Sequence, residues 1–223
     1  MPDGQYSFYL HSDDRTDIAA MATISTISQP LRGEFIRTAA TAGAVVYQVD
    51  ARLPALIPVF FAGQLSAVRL CAVMALVSGT WSSLTGLPDE PENGGAALPV
   101  SPKTEYQRRR YTLTLQNGRS GERVESVLTE ASSRLRGDLL RNLIITGLAL
   151  HTTAPELPRL LASMPVPPTS VSELQALVQQ MAGTADVNRA AAAVPDTPTA
   201  SAAPVSGSDT REIKKNMRRA FGD

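Results

Sequence analysis

Two short stretches of the chain alternate polar and apolar side chains, and their polar members could form hydrogen bonds with a ligand. Because successive side chains of a β-strand point to opposite faces, each stretch predicts a strand with one apolar face and one polar face. Amide, hydroxyl and guanidinium side chains aligned on one strand face favour recognition of a ligand by hydrogen bonds. The polar positions are Gln5, Ser7 and Tyr9 in the first stretch and Arg110, Thr112 and Thr114 in the second.

Catalytic chemistry has little support in the composition. The chain has one cysteine, Cys71, and two histidines, His11 and His151. These counts exclude a disulfide framework and a cysteine-based zinc site. The sequence also lacks a GxGxxG motif and a P-loop. Cys71 lies in an apolar segment and is expected to pack in the core. We therefore expect no enzymatic activity, no cofactor and no metal.

An internal repeat organises the chain. Residues 31–80 align without a gap with residues 135–184, at an offset of 104, and 13 of these 50 positions are identical. Both copies begin with Leu-Arg-Gly, and they share a glycine at Gly43 and Gly147. The two alternating stretches align at an offset of 105. An ungapped register of this length indicates a duplication.

Each copy predicts one strand followed by helices. In the second copy, apolar spacings of three and four predict helices over residues 121–132 and 135–150. A Leu-Pro pair opens a shorter third element, and a last helix is predicted over residues 170–181. The first copy has a weaker counterpart of the first helix, over residues 17–27.

The repeats and the segments between them give five predicted regions. The first linker is acidic and rich in glycine and proline. The second contains mainly Ala, Pro, Ser and Thr, which cannot bury enough apolar surface to become ordered. The regions are repeat A (1–80), the acidic linker (81–108), repeat B (109–184), the disordered linker (185–210) and an amphipathic basic tail helix (211–223).

The most apolar stretch, residues 53–77, is the strongest candidate for a membrane span. It contains Pro54, Pro58 and Arg69, and a charge inside a span is costly. Its counterpart in repeat B, residues 157–181, is interrupted by many polar side chains. We therefore expect buried helices without membrane contact and, since no targeting signal is visible, a cytoplasmic protein.

A single strand in so small a unit would leave its backbone hydrogen-bonding groups unpaired. The strands of the two copies are therefore predicted to pair with each other in an antiparallel ribbon, with helices on its apolar face. The expected fold is mostly α with a short two-stranded β-ribbon. The tandem repeats form an intramolecular pseudo-dimer, and each adds further C-terminal helices.

This arrangement resembles the ribbon-helix-helix DNA-binding family. The segment from Leu135 to Leu161, LRGDLLRNLIITGLALHTTAPELPRLL, more narrowly resembles the ParR (StbB) plasmid-partition adaptors. The tail segment Glu212-Ile213-Lys214-Lys215-Asn216-Met217 resembles the basic C-terminal end of that family. Members of that family usually carry one unit and dimerise, whereas this chain carries two. The resemblance implies binding to centromere-like double-stranded DNA, coupling through the C-terminal tail to an actin-like ParM-type ATPase filament, repression of its own operon and self-assembly on DNA.

The ribbon is expected to contact DNA bases. A two-stranded ribbon fits the major groove of B-DNA, where each base pair presents a distinct pattern of donors and acceptors. The alternative is a polar strand face that is simply solvated. Because the two strands differ in sequence, the two halves of the ribbon should recognise different bases.

Basic residues beside the ribbon are expected to contact phosphates. Free N–H groups and the helix dipole favour anions where the second helix of each repeat begins. Residues 108–184 carry nine basic and six acidic side chains, whereas residues 4–80 carry five of each. Surface ion pairs are the alternative, favoured for Arg37 and Arg141. The expected phosphate contacts are Arg32, Arg108, Arg109, Arg110, Ser133, Arg134 and Arg136.

The tail has the pattern of a helix that binds a partner. Its apolar residues are spaced by four, so a helix would align them on one face. Such a peptide folds readily into a hydrophobic groove. The alternative is a basic tail that adds non-specific DNA affinity. The predicted partner-binding residues are Ile213, Lys214, Lys215, Met217, Arg218 and Phe221.

Two other functions remain open from the sequence. A relaxosome accessory protein or a transcriptional repressor of the ribbon-helix-helix class would use the same ribbon. A protein–protein scaffold without DNA binding is favoured mildly by the formal net charge of zero.

Overall fold

The computed structural model describes residues 4–80 and 107–192 of the chain. Repeat A contains β1 (Gln5–His11), α1 (Arg15–Ser25), a short 3₁₀ helix (Gln29–Leu31), α2 (Arg32–Val49), α3 (Leu53–Phe60) and α4 (Ala67–Ser78). Repeat B contains β2 (Arg108–Thr114), α5 (Arg119–Glu130), α6 (Arg136–Thr153), α7 (Leu157–Ser163) and α8 (Val171–Ala192). The predicted tail helix and the interior of the acidic linker lie outside the described residues.

The two strands form one antiparallel ribbon within the chain. The register runs from Gln5–Thr114 at one end to His11–Arg108 at the other, and Ser7 pairs with Thr112. Ser7 and Thr112 are also equivalent positions of the repeat, so a pseudo-two-fold axis passes between them. The predicted fold class is confirmed: the described part of the chain is mostly helical, with one two-stranded sheet made from one strand of each repeat.

Apart from the exposed Arg109, the inner face of the ribbon is apolar and packs on helices. Phe8 and Leu10 are fully buried, and Leu113 is 2% exposed. Phe8 pairs with Tyr111, and their rings stack with the centroids 5.2 Å apart. Burial of the apolar positions leaves the alternate, polar positions on the outside.

The two longest repeat-equivalent helices, α2 and α6, cross at very close range. A methyl group added at Gly43 would overlap the carbonyl oxygen of Leu143, and one added at Gly147 would overlap that of Ala39. Leu143 and Ala39 are themselves equivalent at the offset of 104. The contact is therefore reciprocal, as at the interface of a two-fold dimer. Only glycine allows the two backbones to approach this closely.

The helices of each repeat pack largely on the other repeat. Helix α6 packs on β1 and α2 packs on α5, while α7 lies against α2 and α3 against α6. Neither repeat could bury its apolar surface in this way alone. The described residues of both repeats accordingly belong to one compact unit that ends at Asn188. A second unit begins at Arg189, of which only the end of α8 is described.

The apolar stretch over residues 53–77 forms two short helices. Helix α3 ends at Phe60 and α4 begins at Ala67. Ile57 and Met74 are fully buried in the core. Within residues 4–80 and 107–192, no helix is long and apolar enough to cross a membrane.

The last helix extends further than the sequence predicted. The apolar pattern predicted an end at residue 181 and a disordered linker from 185, whereas α8 continues to Ala192. Residues 190–192 are alanines, which have the highest intrinsic helix propensity. The prediction considered only the lack of large apolar side chains, so it missed this local preference.

A buried ion pair joins α1 to α6. Asp17 is fully buried, and its carboxylate accepts a 2.7 Å hydrogen bond from Arg141 Nε and a 2.9 Å bond from the backbone N–H of His11. Burial raises the pKa of the Asp17 carboxyl, and the hydrogen bonds from Arg141 and His11 oppose that rise. The equivalent arginine, Arg37, pairs instead with Glu34 on the surface of its own helix, at 2.6 Å. The sequence favoured a surface ion pair for both arginines; Arg37 makes one, whereas Arg141 pairs with a buried carboxylate.

The reciprocal glycine contact predicts that alanine substitutions at two helical glycines differ greatly in their effect on stability. Gly147→Ala should lower the free energy of unfolding by about 1–3 kcal/mol, because the added methyl group overlaps backbone that cannot rotate away. The control is Gly183→Ala in α8, where the added methyl group would meet no atom of a neighbouring element within 4 Å. It should be neutral or stabilising by up to about 1 kcal/mol. Equal effects in urea unfolding followed by circular dichroism would contradict the close crossing.

The two equivalent arginines should also differ in their contribution to stability. Arg141→Ala leaves the Asp17 carboxylate buried without its ion-pair partner, so it should cost about 3–5 kcal/mol in urea unfolding. Arg37→Ala removes an exposed pair between residues three apart and should cost less than about 0.5 kcal/mol. A similar, small cost for both variants would show that the α1–α6 ion pair is not formed in solution.

Candidate nucleic-acid interface

The outer face of the ribbon presents a continuous polar surface. Four cross-strand pairs lie on this face, since every second position points outward. No carboxylate occurs in either strand, so hydrogen-bond donors and hydroxyl groups predominate. The four pairs are Gln5–Thr114, Ser7–Thr112, Tyr9–Arg110 and His11–Arg108.

Arg110 is held in place by a side chain of the opposite strand. Its guanidinium donates to the hydroxyl oxygen of Ser7 through Nε at 3.2 Å and through Nη2 at 2.9 Å. Ser7 lies at the pseudo-two-fold axis, so the guanidinium of Arg110 is turned toward the centre of the ribbon. The side chain remains exposed, which leaves its other N–H groups available to a ligand.

Arg108 stacks on an aromatic ring of the same face. Its guanidinium carbon lies 3.5 Å from the centroid of the Tyr9 ring, a cation–π contact. Arg108 was predicted to precede the strand as a phosphate contact, whereas it is the first strand residue and faces outward opposite His11. Extending the period-two alternation by one step from Arg110 would have found this position, and that of His11.

Arg109 lies on the other face of the ribbon. It pairs with the buried Leu10, and its guanidinium carbon is 5.2 Å from the centroid of the Tyr111 ring. Burial raises the pKa of the Tyr111 hydroxyl, and the positive charges of Arg109 and Arg32 oppose the rise. The structure therefore separates Arg109 from Arg108 and Arg110.

Arg32 and Arg136 each close the turn between the first two helices of their repeat. Arg32 Nε donates to the carbonyl oxygen of Ile27 at 2.8 Å, and Arg136 Nε donates to that of Ala131 at 3.2 Å. These are equivalent bonds at the offset of 104. Both guanidiniums thus have a structural role that the sequence did not predict, in addition to any contact with phosphate.

The start of α6 lies beside Ser7 of the ribbon. A methyl group added at Gly137, in the first turn, would be 3.4 Å from the backbone carbonyl oxygen of Ser7. No side chain caps this helix at Leu135, so its first N–H groups are not used by a cap. Ser133 and Arg134 precede it and are exposed. This arrangement is favourable for a phosphate group that flanks a nucleic acid held on the ribbon.

The described part of the chain offers little for metal or thiol chemistry. Within residues 4–80 and 107–192, no group of three His, Cys, Asp or Glu side chains could hold a metal ion. Cys71 is buried, and burial raises the pKa of its thiol. A shallow cavity of about 280 Å³ beside α2 is lined mostly by apolar groups, and its His151 ring packs edge-on against Phe35.

Comparison with known protein families identifies the family of the chain. The family model of the plasmid stability protein matches it twice, over residues 4–74 and 109–178. The chain belongs to the family of plasmid stability proteins. The two matched segments coincide with the two repeats, each including a strand and the helices that follow it. Comparisons with curated proteins and with solved structures gave no match.

The turn-closing arginines give a test of their structural role. Arg136→Ala removes the bond to the carbonyl of Ala131 and should lower the free energy of unfolding by about 1–2 kcal/mol. Its neighbour Arg134 is exposed, and Arg134→Ala should change stability by less than about 0.5 kcal/mol. Thermal unfolding of both variants makes the comparison. If both unfold like the unsubstituted protein, Arg136 does not hold the turn.

Proposed function

We propose that this member of the plasmid stability family is a plasmid partition adaptor. In this proposal its ribbon lies in the major groove of centromere-like DNA. The chain also represses its own operon by occupying that DNA. The observation that carries the proposal is the intramolecular ribbon, whose outer face bears arginine, amide and hydroxyl groups and no carboxylate.

Base contacts are assigned to the outer positions of both strands. The major groove of B-DNA is about 12 Å wide and accepts a two-stranded ribbon. Arginine, glutamine, serine and threonine side chains form the hydrogen bonds that distinguish base pairs there. Support comes from the alternation of burial along the strands, which turns these groups outward together. The proposed base contacts are Gln5, Ser7, Tyr9, Arg110, Thr112 and Thr114.

Phosphate contacts are assigned to the flanks. The uncapped start of α6 beside the ribbon offers backbone N–H groups and the positive end of the helix dipole to an anion. Ser133 and Arg134 are exposed next to it, and Arg32 and Arg136 occupy the equivalent helix starts. Arg108 and Arg109 add positive charge at one end of the ribbon. Such contacts fix the position of a protein on DNA without specifying sequence.

The C-terminal tail is the proposed binding segment for an ATPase filament. Residues 211–223 would fold as a short helix into a groove of an actin-like ParM-type ATPase filament, with Ile213, Met217 and Phe221 as apolar anchors and Lys214, Lys215 and Arg218 around them. A peptide this short is marginally stable as a helix in water, so partner binding would order it. Support comes from the spacing of the apolar residues in the sequence.

DNA binding is tested by fluorescence anisotropy of the full chain on DNA from upstream of its own gene and on scrambled DNA, across a salt series. The unsubstituted chain should prefer its own DNA at every salt concentration, because base contacts depend less on salt than phosphate contacts do. Equal, weak binding to both DNAs that disappears with salt would overturn the proposal in favour of a scaffold.

One substitution should separate base contacts from general charge effects. Arg110→Ala should weaken binding to the preferred DNA about ten- to a hundred-fold, because it removes a base contact. The matched control is Arg69→Ala, an exposed arginine on α4, whose main packing partner is α3. It should change binding less than three-fold. Similar losses for both variants would assign the binding to net charge rather than to the ribbon.

Removal of the tail should separate DNA binding from segregation. A chain ending at residue 210 should keep its preference for its own DNA, since the ribbon is intact, but should fail to stabilise a test plasmid in dividing cells. If the shortened chain still stabilises the plasmid, the adaptor role is wrong and a repressor or relaxosome role is favoured.

A further inference from the structure

The pseudo-two-fold axis of the ribbon relates positions that carry different side chains. At the offset of 105, Gln5 is equivalent to Arg110, and Tyr9 is equivalent to Thr114. Ser7 and Thr112 face each other at the axis. In a dimer of identical units these positions would be identical. In this chain the pairing register is symmetric about Ser7–Thr112, whereas the side chains on the outer face are not.

The difference between Gln5 and Arg110 concerns the chemistry of base recognition. An arginine guanidinium donates two hydrogen bonds to O6 and N7 of guanine, whereas a glutamine amide both donates to and accepts from adenine at N7 and N6. The two equivalent positions therefore select different purines. A site that is symmetric in sequence would satisfy only one of them.

The arginine end is also the more fixed end. Arg110 donates hydrogen bonds to Ser7 Oγ through two of its nitrogens. Its side chain therefore loses little conformational entropy when it binds a base. Arg108 lies on the ring of Tyr9 at the same end. The opposite end holds the neutral pair Gln5–Thr114. The outer face of the ribbon is therefore positively charged at one end and neutral at the other.

We propose that the ribbon recognises a non-palindromic DNA site, with guanine under Arg110 and adenine at the equivalent position under Gln5, so that the chain binds DNA in a single orientation. The inference rests on the proposed DNA-binding function and adds the identity and order of the bases. Rotating the chain by 180° about the pseudo-two-fold axis would place the amide on guanine and the guanidinium on adenine. Copies bound to directly repeated sites would therefore all face the same way.

The experiment selects DNA sequences from a pool of random duplexes with the purified full chain and identifies them by sequencing. The unsubstituted chain should enrich a motif with guanine in one half and adenine at the matching position of the other half. The preference for the stated base should be about ten- to a hundred-fold at each position.

Two reciprocal variants test the assignment. Arg110→Gln makes the two equivalent positions identical, so guanine should be replaced by adenine and the motif should become more symmetric. Gln5→Arg should replace adenine by guanine in the other half. Both side chains are exposed, and the ellipticity of each variant is compared with that of the unsubstituted chain. Two variants at opposite ends keep the test decisive if one of them does not fold.

The control variant is Arg109→Gln. It makes the same change of charge one residue away, on the inner face of the ribbon. It should lower affinity for all sequences and leave the selected motif unchanged.

The outcomes separate this inference from the proposed function. If the unsubstituted chain enriches a palindromic motif, or if the motif does not change in Arg110→Gln and Gln5→Arg, the oriented recognition is wrong while sequence-specific binding stands. If the unsubstituted chain enriches no sequence at all, the proposed DNA-binding function itself is wrong, and the inference falls with it. A motif that changes equally in Arg109→Gln would also overturn it.

Discussion

The close crossing of α2 and α6 is the constraint on which the rest of the structure depends. Gly43 and Gly147 each face the backbone of the other helix, where no side chain would fit. Because the contact is reciprocal, it follows the same pseudo-two-fold symmetry that relates Ser7 to Thr112 in the ribbon. Helix α6 also packs on β1, so the helix that contains Gly147 supports the ribbon directly. A substitution at either glycine should therefore also displace the strands of the ribbon.

The helical scaffold is similar in the two repeats, whereas the outer face of the ribbon differs between them. The helix crossing and the turn-closing bonds of Arg32 and Arg136 are repeated in both halves. The outer face of the ribbon is not, since Gln5 and Arg110 occupy equivalent positions. Covalent fusion of two units permits this division, because each half of a single chain can change without changing the other. A homodimer must place the same side chain on both sides of its axis.

Most of the fold could be predicted because its signals are local or repeated. Alternation predicted the strands, apolar spacing predicted the helices, and the shared glycines indicated the repeat that pairs the strands. The Asp17–Arg141 pair could not be predicted, because it joins residues 124 apart in the chain and has no counterpart at Arg37. At the site, alternation predicted the outer face of the strands, but it placed Arg108 before β2, because three successive arginines hide the alternation. The bond of Arg32 to a backbone carbonyl depends on the turn geometry, which side-chain types do not reveal.

The most direct test of the account is an NMR titration of the isotopically labelled full chain with duplex DNA from upstream of its own gene. If the ribbon lies in the major groove, the largest chemical-shift changes should occur at the outer positions of both strands, among them Ser7, Arg110 and Thr112. Buried inner positions such as Phe8 and Leu113 should change less. Large changes confined to helices away from the ribbon, or no changes at all, would contradict the assignment of the ribbon as the DNA-binding surface.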